Sequence, residues 1–425
     1  MPHKPSDATD APPAAKIVRG SGDFVKVNIA LFAAGFTTFA LIYCVQPILP
    51  VFSDDFGVTP AEASLSLSVT TQFLAVSMLA ASSLSEVFGR KPVMIASLFA
   101  SSALMMATAF APDWNTLLIL RALAGITFSG LPPAAMAYVG EEIDAKSSGL
   151  AMGLYIAGTG LGALGGRFIA GFAADFGHWR IGLFVIGVLA LISSVVFWKA
   201  LPASRHFRES APRLNTILSS FARHLKEPVL VSLFVEGFLL MGVFVSMYNY
   251  SSYRLMEPPY NFSQTAVSLI FGISVIGILT SAFVSDFAAK LGRARVLWAL
   301  VAMIFAGVLM TLAEGLWMIL AGLTLLTFAF YGAHSVLASS VAVRAEHAKA
   351  QASSLYLFAY YTGSSLMGFL GGLAWSAYHW PGVVALSSIS LTIALIIAIA
   401  LAVIIGRFGR GPRGRKPPLL TPPVD

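Results

Sequence analysis

Long apolar runs, interrupted by short polar gaps, recur along the whole chain. Twelve can be marked as helical segments, starting near Val27, Ala63, Val93, Asn115, Gly149, Arg180, Pro228, Gln264, Ala294, Leu316, Ala350 and Trp380. Stretches of this length suit a hydrocarbon layer about 30 Å thick. The pattern therefore predicts an all-α membrane protein with twelve transmembrane helices. Most gaps hold only a few residues. The exception runs from about Ala200 to Glu227, is rich in Arg, His and Ser, and splits the chain into two six-helix bundles. The expected divisions are a disordered arm at 1–26, a bundle at 27–199, a loop at 200–227, a second bundle at 228–406 and a basic tail at 407–425. The first 26 residues are polar and carry no cleavable short apolar core, so they do not read as a signal peptide.

Composition sharpens this picture. Of the 425 residues, 57% are hydrophobic and only 11% charged, whereas a soluble domain carries about a quarter charged residues. The formal net charge of +7 does not point to nucleic acid, because the basic residues sit in the gaps and form no separate basic domain. If the N-terminus is cytoplasmic, 23 of the 27 Lys and Arg lie on that side; Arg180 and Arg254 lie outside, and Arg121 and Arg167 lie within spans. That asymmetry predicts both termini inside. The single cysteine, Cys44, excludes an intrachain disulfide and a CxxC metal site, and reads as packing.

The halves resemble each other at an offset of about 204 residues. Gly89-Arg90 recurs as Gly292-Arg293, Trp114 as Trp317, and the span 5 residues Gly162, Leu164, Gly165 and Gly166 as Gly368, Leu370, Gly371 and Gly372. Thr59 and Ser263 are expected to cap spans 2 and 8, with Glu62 completing a capping box. Parallel six-helix repeats are a transporter architecture, with the site between the halves near the midplane.

The segment Ser82-Ser83-Leu84-Ser85-Glu86-Val87-Phe88-Gly89-Arg90-Lys91 resembles the G-x-L-x-D-R-x-G-R-K signature of the major facilitator superfamily, and the resemblance extends over essentially the whole chain. It implies the major facilitator fold. It also implies a gate of Glu86, Gly89, Arg90 and Lys91 in which the acid caps a neighbouring helix. In the second copy Ala289 replaces the acid while Gly292 and Arg293 remain, so the gate is expected to be asymmetric. Arg121, four residues before Gly125, resembles the arginine-bearing signature of proton-coupled members. Pro47-Ile48-Leu49-Pro50 and the glycines of span 5 resemble motifs of the drug–proton antiporter branch, but Gly162 stands where that branch has proline. Gly153-Leu154-Tyr155-Ile156-Ala157-Gly158, Gly166-Arg167, the Glu236–Gly242 stretch and Tyr248-Asn249-Tyr250 are similar to the bacterial YnfM-type carriers.

Charged groups inside a bilayer cost several kcal/mol and mark candidate functional sites. Glu236 lies about 12 Å into span 7, placed to carry a proton or hold a cationic substrate, or else to hydrogen-bond a neighbouring helix. Arg121 is placed for coupling or substrate binding, or else for a structural role against carbonyls. His334, with Tyr331 one turn earlier, suits proton shuttling or a helix-to-helix hydrogen bond. Arg167, eight residues before Asp175, suggests an outer-gate ion pair or a snorkelling side chain. The family's cavity is lined by spans 1, 4, 7 and 10, which favours Tyr43, Gln46, Tyr250 and Tyr331 as substrate contacts.

No nucleotide loop, metalloprotease motif or nucleophile elbow is present, so no enzyme, cofactor or metal is expected. The expected partners are a small-molecule substrate, protons and the lipid bilayer, with no nucleic acid, and the resemblance implies a monomer. The leading reading is a proton-coupled exporter in the bacterial inner membrane. Alternatives are a sugar or metabolite transporter, by export or by uptake through symport, and a non-transporting membrane sensor.

Overall fold

The computed structural model describes residues 15–207, 214–345 and 347–408. Its helices run α1 (Gly22–Tyr43), α2 (Leu49–Phe56), α3 (Pro60–Phe88), α4 (Arg90–Thr108), α5 (Trp114–Phe128), α6 (Leu131–Glu142), α7 (Ala145–Asp175), α8 (Trp179–Ala200), α9 (Leu214–Leu225), α10 (Pro228–Met256), α11 (Gln264–Ile270), α12 (Ser274–Leu291), α13 (Arg293–Met310), α14 (Leu316–Arg344) and α15 (Lys349–Phe408). Among the described residues, ten helical stretches are long and apolar enough to cross a membrane. The last of them is two crossings joined where His379 takes φ 51° just before Pro381. The joined pair α11 and α12 makes another crossing, which brings the total to twelve. Each predicted start falls within five residues of an observed one.

Local chemistry explains the boundaries. The Thr59 hydroxyl accepts from the Glu62 N–H while the Glu62 carboxylate accepts from the Thr59 N–H, and Ser263 caps α11 through the Ala266 N–H. Gly89 and Gly292 take φ 92° and 97° at the turns before α4 and α13, a region that disfavours any Cβ. Pro47 ends α1, and the chain makes one tight turn before resuming as α2.

The two halves repeat one packing scheme. α1 lies on α7 as α10 lies on α15, α3 on α5 as α12 on α14, and α4 on α8 as α13 on α15. Backbones touch along the first seam: a Cβ at Gly158, Gly162 or Gly166 would come within 2.2 to 2.5 Å of the Phe32, Phe36 and Ala40 carbonyl oxygens. The same contact explains the missing motif proline, because at Gly162 every side chain, proline included, would collide with α1.

Two expected divisions shift. Residues 15–26 are not a free arm: the Ile17 N–H donates to Glu142 O at 2.8 Å, Asp144 N–H donates to Ile17 O at 3.0 Å, and α1 begins at Gly22. The central loop contains α9, whose Leu214, Leu218, Phe221 and Leu225 recur at helical spacing. Residues 1–14 and the tail from 409 lie outside the described residues.

Candidate functional site

Call the face where α1 begins the near face and the opposite one the far face. Contacts between the halves concentrate toward the far face. Asp175, ending α7, caps α11 of the other half, accepting from the Gln264 and Thr265 N–H groups at 2.7 and 3.0 Å. Ser53 and Tyr253 share a hydroxyl hydrogen bond of 2.8 Å. Thr71 and Ser365 share one of 2.9 Å, and Ser365 also reaches the Ser68 carbonyl. A Cβ at Gly372 would meet the Ala61 backbone at 2.3 Å. At the near face the chemistry is different. The ion pairs Lys26–Asp23, Arg90–Glu141, Arg205–Asp23, His206–Glu142 and Arg344–Glu227 each join one half to itself or to the end of the 200–227 loop beside it, and none of them bridges the two halves. The halves are thus tied at the far face, and none of these ion pairs joins them at the near face.

Arg121 is fully buried and its fork is filled by backbone. Nε donates to Ser66 O, Nη1 to Leu41 O and Nη2 to Ile42 O, each at 2.8 Å. The break in α1 before Pro47 creates this cradle: it leaves the Leu41 and Ile42 carbonyls without the Val45 and Gln46 N–H groups that a continuing helix would supply. The guanidinium replaces those donors, joining α5 to α1 and α3.

Arg167 does not pair with Asp175, which is occupied at α11. It lies about 12 Å from the far end of α7 and is 3% exposed. Its Nε and Nη2 both donate to one atom, Gln46 Oε1, at 3.0 and 2.8 Å. Gln46 in turn donates through Nε2 to Asn249 Oδ1 at 2.8 Å, crossing to the other half. The Tyr43 and Phe271 rings flank the guanidinium at 5.0 and 5.6 Å.

In the second half, Glu236 is 0% exposed, and neither carboxyl oxygen has a hydrogen-bond partner among the described residues. The Tyr356 ring packs against Gly237, and its phenol lies within electrostatic reach of Glu236. Tyr356 shares a 2.9 Å hydrogen bond with His334 Nδ1, and Tyr360 lies 4.7 Å from the His334 ring. Glu236, Tyr356 and His334 therefore form one cluster across α10, α14 and α15. Tyr331 is half-buried against Phe244 and Phe330.

The remaining expected positions divide. Tyr250 does not reach a cavity: it is fully buried, donates to Gly368 O at 2.6 Å and stacks beside Trp375, closing the seam between α10 and α15. Glu236 is likewise too enclosed to hold a substrate directly in this state. Arg90 donates to Glu141 and to Ser85, and Lys91 donates to Leu201 O. Glu86 forms no helix cap among the described residues, because α3 and α15 meet through their far-face halves. Gly292 and Arg293 open α13 as Gly89 and Arg90 open α4. Asn249, noted in the sequence only as a polar side chain at transmembrane depth, completes the bridge across the halves. One participant went unnoticed: Tyr356 joins Glu236 to His334, and its signal was its place one turn before Tyr360 on the same helical face.

Twelve crossings in two like halves, with buried charged groups between and within them, define a secondary-transporter architecture. A profile of the Major Facilitator Superfamily matches residues 31–257, and the chain belongs to that family. It is 47% identical to the uncharacterized MFS-type transporter YybF of Bacillus subtilis, over 91% of this chain and 96% of that protein. It is 44% identical to the inner membrane transport protein YnfM of Escherichia coli, over 91% and 92% respectively. A bacterial homolog of the human lysosomal transporter Spinster, solved in an inward-facing and unoccupied conformation, matches with a TM-score of 0.68. That match has 16% identity and covers 91% of this chain and 96% of that one. At such identity it shows the fold alone.

Proposed function

We propose that this protein exports small organic solutes across the bacterial inner membrane by alternating access, driven by protons returning to the cytoplasm. The observation that carries the reading is Glu236, a carboxyl buried without a hydrogen-bond partner in a helix that belongs to the interface-forming set. An ionised carboxylate in such a place costs far more than the neutral acid, so a proton and a conformational change are naturally linked there. His334 and Tyr356 form the hydrogen-bonded route beside it. The excess of Lys and Arg on the near face supports a cytoplasmic assignment for that face. With the halves tied at the far face, the described state then corresponds to the inward-facing one. Glu86, with Arg90 and Lys91, takes its gating role in the opposite state, when the near-face ends of α3 and α15 converge.

A second reading, export of a polar metabolite, is favoured by the phenols of Tyr43, Tyr331, Tyr360 and Tyr361, which lie near one another between the halves. The test is proton flux in everted vesicles holding an acidic interior. Cationic dyes, sugars and organic acids are added in turn, with Glu236→Gln as the comparison. Solute-triggered proton release that disappears in the variant is expected. Solute flux without any proton release would sink the antiport reading, and release surviving in the variant would move the proton site away from Glu236.

A further inference from the structure

Arg121 and Arg167 are both buried guanidiniums, yet they are satisfied very differently. All three guanidinium nitrogens of Arg121 donate to carbonyls. Arg167 spends two donors on a single neutral oxygen, and its Nη1 meets no acceptor among the described residues. No carboxylate of the described residues lies within ion-pair distance of it. A buried charge without a counter-charge is costly, and a guanidinium is built to take a carboxylate through two parallel hydrogen bonds. The surroundings add further donors. The Tyr43 and Tyr331 phenols lie within electrostatic reach of Arg167, and neither hydroxyl has a hydrogen-bond partner among the described residues.

We propose that Arg167 receives the carboxylate of a small organic anion carried by this protein, and that this binding unfastens the bond holding the halves together. The inference rests on the transporter reading above and names its substrate class. The route is short. Gln46 Oε1 accepts from Arg167 while Gln46 Nε2 donates to Asn249 across the seam, and a charge-assisted bond at one end of an amide strengthens the bond at its other end. A carboxylate on Arg167 displaces Oε1, frees the Gln46 side chain and weakens its hold on Asn249. The far-face seal above it, at Ser252, Ser53 and Tyr253, then loosens. Occupancy from the near face thereby favours the state open to the far face. The site discriminates by charge: neutral and cationic analogues of the same shape leave Gln46 in place.

The experiment uses the full chain in lipid nanodiscs, with Cys44→Ala and a reporter Ser252→Cys at the fully buried seal position. The labelling rate of the reporter by a charged maleimide is measured with benzoate, benzamide and benzylamine, which share one ring and differ in charge. Benzoate is expected to speed labelling at least about three-fold, and the other two not at all. Arg167→Gln abolishes the response, and Arg167→Lys keeps part of it. Gln46→Glu, which supplies a fixed carboxylate to Arg167, makes the rate independent of benzoate and tests the idea even if Arg167→Gln misfolds. No benzoate response, an equal response to benzamide or benzylamine, or a response surviving Arg167→Gln overturns the proposal. Proton-coupled flux of neutral or cationic solutes without any anion response overturns this inference alone. An intact benzoate response with no solute flux of any kind overturns the transporter reading instead.

Discussion

The cradle around Arg121 makes a quantitative prediction about stability. Replacing Arg121 by Met keeps bulk but removes all three 2.8 Å hydrogen bonds. Ser66 O retains the Thr70 hydroxyl at 3.2 Å, and Leu41 O retains only the weak Cys44 thiol at 3.5 Å; Ile42 O is left bare. Each acceptor stranded in a dry site costs about 1–3 kcal/mol, so two stranded carbonyls put the loss at roughly 2–6 kcal/mol. For a chain of this length that is a fall in Tm of about 2–7 °C, from the size scaling of unfolding entropy. Arg121→Lys keeps the charge, but one ammonium cannot span carbonyls on both α1 and α3, so its loss is intermediate. Melting is followed by tryptophan fluorescence and by retention of the monodisperse peak in detergent. The cause is separable from charge burial by a double-mutant cycle with Pro47→Ala, which removes the ring that stops α1 and lets the helix continue, so that the Val45 and Gln46 N–H groups reach the Leu41 and Ile42 carbonyls. The Arg121→Met cost then shrinks by at least about 1 kcal/mol, a coupling of ordinary size for groups sharing one network. Strict additivity of the two substitutions would falsify the argument that Arg121 serves the carbonyls that Pro47 exposes.

The other predictions concern packing, the seal and pH. Gly162→Ala forces a Cβ to within 2.2 Å of Phe36 O and lowers stability by about 1–3 kcal/mol or more, while Gly153→Ala meets nothing within 4 Å and gains helix propensity, so the pair should melt in opposite directions from wild type. Asp175→Ala removes the carboxylate that caps α11 alongside Ser263, about 0.5–2 kcal/mol; labelling of a cysteine at Ser252 from the far face should rise roughly 2- to 30-fold, and no rise would remove Asp175 from the seal. Burial acts to raise the Glu227 carboxyl, but the Arg344 guanidinium and the Leu230 and Val229 N–H groups outweigh it and hold Glu227 below the usual glutamate range. Its contribution is therefore complete above the unfolded value of about 4.3 and is lost as pH falls through the lowered folded one. Melting across pH 3 to 6 should show a steeper acid loss for wild type than for Glu227→Gln, and parallel curves would refute the assignment.

The crossings and their repeat were legible because membrane helices must satisfy their own backbone groups, so apolar length alone marks them. Caps such as Thr59–Glu62 were legible for the same local reason. The pairing of buried side chains was not. Arg167 and Asp175 lie eight residues apart on one helix and invite an ion pair, yet each finds its partner on another element: Gln46 on the turn after α1, and the N-terminus of α11. Sequence spacing reports neighbours along a helix, whereas these contacts depend on which face meets which, and in a protein that rocks between states on which state is present. Tyr250 shows the same limit. Its place on the face shared with Glu236 is as helical spacing requires, but that face meets α15, so a presumed cavity residue becomes part of a seam.

Two kinds of buried charge follow from this and carry different consequences. Each guanidinium nitrogen of Arg121 is held by a carbonyl, two of them at the broken end of α1 and one on α3, so its substitution should register first in stability. Arg167 and Glu236 are each left short of partners, one lacking an anion and the other lacking any hydrogen bond, and neither deficit is repaired by the fold itself. They lie at different depths: Asn249, which the Arg167 network reaches, stands 13 residues from Glu236 along α10, about 20 Å at the rise of a helix. Groups that the folded state leaves unsatisfied are those whose energy changes most when a ligand or a proton arrives. A substrate bound at one depth and a proton bound at the other would act on the same helix, α10, which packs against α15 in its own half and joins the other half through Asn249. That shared helix gives two separate binding events a common mechanical target, the seal between the halves.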